Sequence, residues 1–124
     1  MGVHEKFVLN EDENEYIEYW IDDGELKISK ENEDLDEYFH FHIYPNNKIE
    51  FRYRRFVVFP NNIARRFEIN KVARNPLNNK YTFESVRDYL SDESKNDGQK
   101  IMYIERLLRE YFEYYRPKKS WSLN

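Results

Sequence analysis

From Tyr38 to Tyr44, and again from Lys48 to about Phe59, aromatic and aliphatic residues alternate with polar ones, and Pro45-Asn46-Asn47 stands between the two stretches. A period of two interrupted by a turn signal predicts an antiparallel hairpin, the arrangement that sorts such side chains onto two faces. Pairing Tyr44 with Lys48 sets Ile43 beside Ile49, Phe41 beside Phe51 and Phe39 beside Tyr53, so the apolar partners share one face. The other face receives Tyr38, His40, His42 and Tyr44 against Glu50, Arg52 and Arg54, a polar surface studded with aromatic rings. At Arg54-Arg55 the alternation slips, because Phe56 and Val58 fall out of phase with Phe51 and Tyr53. A β-bulge that re-aims Arg55 is the expected repair.

A second hairpin is written into Glu15 to Ile21 and Glu25 to Lys30, which alternate on either side of Asp23-Gly24, the signature of a two-residue type I′ turn. Its register pairs Ile21 with Leu26 and Tyr19 with Ile28, while Trp20 faces Lys27 on the opposite side. Phe7 to Leu9 and Phe67 to Val72 read as further strands. Asn75-Pro76-Leu77-Asn78-Asn79 then breaks the pattern and the period changes. Thr82 is placed to cap a helix with Phe83, Val86 and Leu90 on one side, and Ser91 to Gly98 forms a polar loop. Asn96 or Asp97 caps a second helix that runs to Arg116 and stops at Pro117, with Ile101, Ile104, Leu108, Tyr111 and Tyr115 as its core stripe. A second stripe, Tyr103, Leu107 and Tyr114, exceeds what one sheet needs and predicts a partner. On this reading Leu107→Glu converts an oligomer into a monomer. The fold class expected is therefore α+β: one domain over 1–124, an N-terminal antiparallel sheet of two or more hairpins over about 6–74, then helices over about 83–92 and 97–116.

Charged residues make up 35% of the chain, a level at which disorder is a real alternative, but 11 Tyr, 9 Phe and 2 Trp supply the apolar area that disordered chains lack. The absence of cysteine excludes disulfides, thiol catalysis and thiolate metal sites, and suits a cytoplasmic protein. No apolar run approaches a membrane span, and Met1 to Asn10 lacks the apolar stretch of a signal peptide. Scarce alanine with abundant Asn, Lys, Ile and Tyr points to an AT-rich coding genome, that of a low-GC bacterium or its phage, and so to the cytoplasm of a bacterial host cell.

The charge is divided. Residues 1–44 hold 14 acidic against 3 basic residues, and residues 48–80 hold 2 against 9, although the whole chain carries only −4. Acidic strands beside basic ones explain this division without any ligand; a local basic surface could equally attract phosphate. A net acidic chain is a poor binder of long nucleic acid, whose affinity comes from counterion release. His40 and His42 share a strand face with Glu50 opposite, a spacing open to metal ligation, yet Arg52 and Arg54 beside them would repel a cation, so no metal is expected. The serines lie in no nucleophile elbow, three glycines form no phosphate-cradling loop, and Asp22 and Asp23 sit in a turn. No pattern calls for a catalytic residue or a cofactor. The arginines carry more weight. Arg52, Arg54 and Arg55 are interleaved with Phe51, Tyr53 and Phe56, and Arg106 and Arg109 lie on the last helix. Guanidinium forks with nearby rings suit a nucleotide, while the i, i+4 pairs Glu105–Arg109 and Arg106–Glu110 would explain the helix arginines as a solvated face.

This order of elements resembles the phage proteins that sequester the nucleotide signal of the bacterial Thoeris defence. The resemblance implies an oligomer whose pockets hold cyclic ADP-ribose isomers or cyclic dinucleotides, with a sheet arginine, an aromatic ring, an asparagine and arginines of the last helix in the pocket. The positions answering to these are Arg55 with its neighbour Arg54, then Phe83, Asn96, Arg106 and Arg109. The expected function is thus a non-enzymatic binding protein for a small nucleotide ligand, a homo-oligomer acting in anti-defence. The rival is a protein-binding inhibitor, a nuclease-toxin immunity protein or an anti-CRISPR, whose acidic stretches Glu11 to Glu18 and Glu31 to Glu37 imitate nucleic acid. A metal-dependent hydrolase around His40 and His42 comes third.

Overall fold

The computed structural model describes residues 2–12, 14–77 and 80–116. Six strands, β1 (Val3–Asn10), β2 (Glu15–Ile21), β3 (Leu26–Asn32), β4 (Glu37–Ile43), β5 (Lys48–Val58) and β6 (Ala64–Arg74), precede two helices, α1 (Phe83–Leu90) and α2 (Asp97–Tyr115). The strands form one antiparallel sheet in chain order, β1 to β6, giving an α+β fold. None of the described helices is long and apolar enough to cross a membrane. The expected stop at Pro117 lies outside the described residues.

Alternation and the turns together specify the register. Ile43 pairs with Ile49, Phe41 with Phe51 and Phe39 with Tyr53, and on the other hairpin Ile21 pairs with Leu26 and Tyr19 with Ile28. Two turns share one device. Asn47 adopts φ 67° and its N–H donates to Tyr44 O at 2.8 Å; Asn62 adopts φ 64° and its N–H donates to Phe59 O at 2.9 Å. Pro45-Asn46-Asn47 is thus repeated as Pro60-Asn61-Asn62, and the second copy turns a β5–β6 hairpin that the alternation had not delimited. In both, the proline presets the first φ and the second asparagine takes the left-handed conformation at low cost. Asn14 and Asp36 close the β1–β2 and β3–β4 connections with φ 50° and 49°.

Two local expectations are corrected. The Asp23-Gly24 turn is not type I′, for no glycine has a positive φ. Instead the Asp22 carboxylate accepts from Gly24 N–H at 2.8 Å and Glu25 N–H at 2.9 Å, so a side chain closes the turn in place of mirror-image dihedrals. Nor is there a bulge at Arg54-Arg55, because β5 runs in unbroken register against both β4 and β6. β4 ends its pairing at Arg55, while β5 and β6 continue past it to Val58 and Ala64. Phe56 and Val58 change phase because that segment has left the core and projects as a two-stranded arm. The sheet's register shift lies in β1, between Val8 and Asn10.

Both helices pack on the face bearing Phe41 and Phe51. α2 presents Ile104, Leu107, Leu108 and Tyr111, each at most 2% exposed, and the Tyr111 ring lies 4.9 Å from Phe41. Reciprocal caps fix both starts. Thr82 and Ser85 exchange side-chain and backbone bonds, and Asn96 and Gln99 do the same at 2.9 Å in each direction. The second stripe of α2 is not left for a partner. Leu107 is fully buried, and Tyr103 stacks on Tyr89 of α1 at 4.0 Å and meets Tyr81 edge-on at 5.9 Å. α1 and the segment before it cover this stripe within the chain, so only Met102 and Tyr114 stay exposed there.

Candidate functional site

Because side chains alternate across a strand, burying Phe39, Phe41 and Ile43 forces Tyr38, His40 and His42 onto the face away from the helices. There they form a column of rings. Tyr38 and His40 stack at 6.3 Å between centroids, His40 and His42 meet edge to face at 6.2 Å, and His42 stacks on Tyr44 at 4.3 Å. The Tyr38 hydroxyl lies 3.4 Å from His40 Nδ1. His42 Nε2 sits 3.0 Å from a Glu25 oxygen, and the Tyr44 hydroxyl donates to Glu50 at 3.2 Å. The lower column is thereby held by carboxylates. Hydrogen bonding to Lys27 holds the Glu25 carboxyl below its ordinary range.

The upper column borders open space. A cleft of about 320 Å³ is lined by Trp20, Asp22, Glu25, Lys27, Ser29, Tyr38 and His40. A second, of about 170 Å³, is lined by Arg52, Arg54, Glu68 and Asn70 together with Tyr38. Tyr38 is the wall they share, and the Arg54 guanidinium lies 5.5 Å from its ring centroid. Trp20 is steadied from behind by His4, stacked at 5.0 Å. One cleft therefore offers indole, phenol and imidazole planes, and its neighbour offers two guanidinium groups.

Burial lowers the pKa of His40 below its ordinary value of 6.5, and His42 and Arg52 act in the same direction. The imidazole is thus neutral at physiological pH, a planar surface that adds no charge. Between its folded and unfolded values the unfolded chain binds the extra proton. This contribution to stability is therefore complete above about pH 6.5 and is lost as pH falls below it. Melting temperatures taken from pH 8 down to pH 5 should decline, and His40→Gln should decline less; identical curves for variant and parent would remove His40 as the cause.

The six residues expected from sequence to bind ligand do not converge. Arg54 stands in the cleft described. Arg55 is on the opposite face, paired across the sheet with Glu37 and Phe67, and its Nε is buried without a hydrogen-bond partner among the described residues. Phe83 is 6% exposed in the core, and the Asn96 side chain is engaged in capping α2. Arg106 and Arg109 are exposed, and Arg109 lines a separate cleft of about 300 Å³ with Lys30, Glu37, Phe39 and Phe112 on the helix side of the sheet. The i, i+4 pairs expected on α2 are also replaced. Glu105 bonds Lys30 at 3.0 Å, and Glu110 bonds Lys80 and Tyr81.

Trp20, Lys27 and Tyr38 are not among the ligand-binding residues expected from sequence. The signal that could have found them is the alternation itself, which placed Trp20 opposite Lys27 and Tyr38 opposite Arg54 on the polar face. Among the described residues no group of three or more His, Asp or Glu could hold a metal ion. Comparison with family models, curated proteins and solved structures finds no match for this chain.

Proposed function

We propose that this chain is a non-enzymatic binding protein that captures a nucleotide-derived molecule on the open face of its sheet. The observation that carries this is Tyr38, a ring standing between an aromatic cleft and a pair of arginines. A base laid against Trp20, Tyr38 or His40 gains stacking energy, about 1 to 3 kcal/mol per base. A phosphate one step away meets Arg52 and Arg54, whose planar forks bind phosphate oxygens two at a time. The aromatic cleft, at about 320 Å³, is of the size that encloses a small ligand. Net charge of −4 disfavours a long polyanion while leaving a compact one free to reach this patch. Within that class, the resemblance of the element order to the phage Thoeris-signal proteins selects cyclic ADP-ribose isomers and cyclic dinucleotides. Sequestering such a signal in an infected cell needs tight, stoichiometric capture and no bond-breaking.

Calorimetric titration of the purified chain with both ligand classes tests the reading. Binding is expected for at least one, with Tyr38→Ala and Arg54→Ala each weakening it by about tenfold or more while circular dichroism is unchanged. Failure of every nucleotide to bind the parent protein would overturn the reading, and so would binding that is indifferent to both substitutions.

A further inference from the structure

The β5–β6 arm is built for contact, and its surroundings identify what it touches. Beyond Arg55 it has lost β4 as a neighbour, yet it stays a paired hairpin up to a closed tip, where Phe59 N–H donates to Ile63 O at 2.9 Å. Val58 is 60% exposed, Ile63 49% and Phe56 40%. These apolar side chains stand beside the exposed Arg65 and Arg66, and residues 54–66 contain no acidic residue. Arg66 engages Glu68 at 3.1 Å, whereas Arg65 has no carboxylate partner among the described residues. A single apolar surface residue is ordinary; several on a projecting hairpin mark a surface that is covered in use.

The same end of the sheet carries the opposite charge. The β1–β2 and β3–β4 turns lie there together, joined by Glu33 N–H donating to Asn14 O at 3.2 Å. They expose Glu11, Asp12, Glu33, Asp34 and Asp36, with Leu35 48% exposed among them. The arm begins beside these turns, since Phe56 N–H donates to Asp36 O at 3.2 Å. One rim therefore bears an acidic half with an apolar residue and a cationic half with an apolar tip. A two-fold dimer requires such a self-complementary patch, because whatever one copy offers the other must receive.

We propose that the arm of each copy lies across the acidic turns of a second copy, giving an isologous dimer whose charges pair around buried Val58, Ile63 and Leu35. An anionic bilayer or a nucleic-acid duplex brought to the arginines would also meet five exposed carboxylates on that rim, so the arrangement favours another copy of this chain. The dimer is separate from the nucleotide reading, because Val58, Ile63, Arg65 and Arg66 line neither cleft at Tyr38.

Light scattering coupled to size exclusion, at micromolar concentration of the full chain, tests it. The parent should run at twice the chain mass and dissociate more readily as salt is raised. Val58→Asp combined with Ile63→Asp should run as a monomer with unchanged circular dichroism. Because both positions are exposed, the fold does not depend on them. Arg65→Glu with Arg66→Glu should weaken the dimer about tenfold or more, and adding Glu33→Arg and Asp34→Arg should restore it. A monomeric parent, a dimer that ignores the arm substitutions, or a monomer that binds anionic vesicles or duplex DNA through the arm would each overturn the proposal.

Discussion

Leu107→Glu is expected to abolish the fold, not to change an assembly. Leu107 is fully buried between the sheet and the covering tyrosines, in a cluster with Val86, Leu90, Ile104 and Tyr111. A carboxyl placed there has no cationic partner and must be either ionised in an apolar site or held neutral. Pushing a buried glutamate several pH units above its usual range corresponds to roughly 4 to 7 kcal/mol. The lost leucine packing adds to that, and the total rivals the whole stability of a domain of this size, about 5 to 15 kcal/mol. Far-ultraviolet circular dichroism and proton NMR should show an unfolded chain at neutral pH. A folded variant would mean that this stripe of α2 faces outward after all.

Tyr111→Ala should bring the second largest loss. Its ring lies 4.9 Å from Phe41 and 6.0 Å from Phe51, and its hydroxyl donates to Asn75 Oδ1 at 2.7 Å, tying α2 to the segment after β6. Truncating a buried aromatic costs about 3 to 5 kcal/mol, enough to lower the melting temperature by roughly 10 °C or more. Tyr111→Phe keeps the ring and removes one hydrogen bond, for about 1 kcal/mol. Equal losses in the two variants would show that the hydrogen bond, not the packing, holds this junction.

What could be read from sequence follows a physical division. Cross-strand partners were legible residue by residue, because alternation and a turn together leave one register that buries Phe41 with Phe51. The cap at Thr82 was legible, and that of α2 to within Asn96 or Asp97, because side-chain bonding at a helix start is local. The β5–β6 turn was legible in principle, since Pro60-Asn61-Asn62 repeats Pro45-Asn46-Asn47, but the apolar run of Phe56 to Phe59 reads as more core strand. Alternation reports which face a residue takes and says nothing about whether the sheet still has a layer above it, so an arm reads as a bulge. The surplus stripe on α2 is legible but its partner within the chain is not, because no periodicity reveals where the short α1 folds back.

The candidate site divides in the same way. The sheet face of Tyr38, His40 and His42 against Arg52 and Arg54 was legible as a ringed, polar surface. Which residues line an open cleft was not, since that depends on curvature and on neighbours two strands away, such as Trp20. Proximity in sequence also misled. Arg54 and Arg55 are adjacent in the chain yet lie on opposite faces of the sheet.

The proposed ligand lies on the open face of the sheet. Proton–nitrogen correlation spectra recorded while a bound nucleotide is titrated in test it directly, because every strand reports separately. Shifts are expected to concentrate at Trp20, Lys27, Ser29, Tyr38, His40, Arg52 and Arg54, with α2 unmoved. Shifts centred on Arg106 and Arg109, or spread over the helix side of the sheet at Lys30, Phe39 and Phe112, would contradict it.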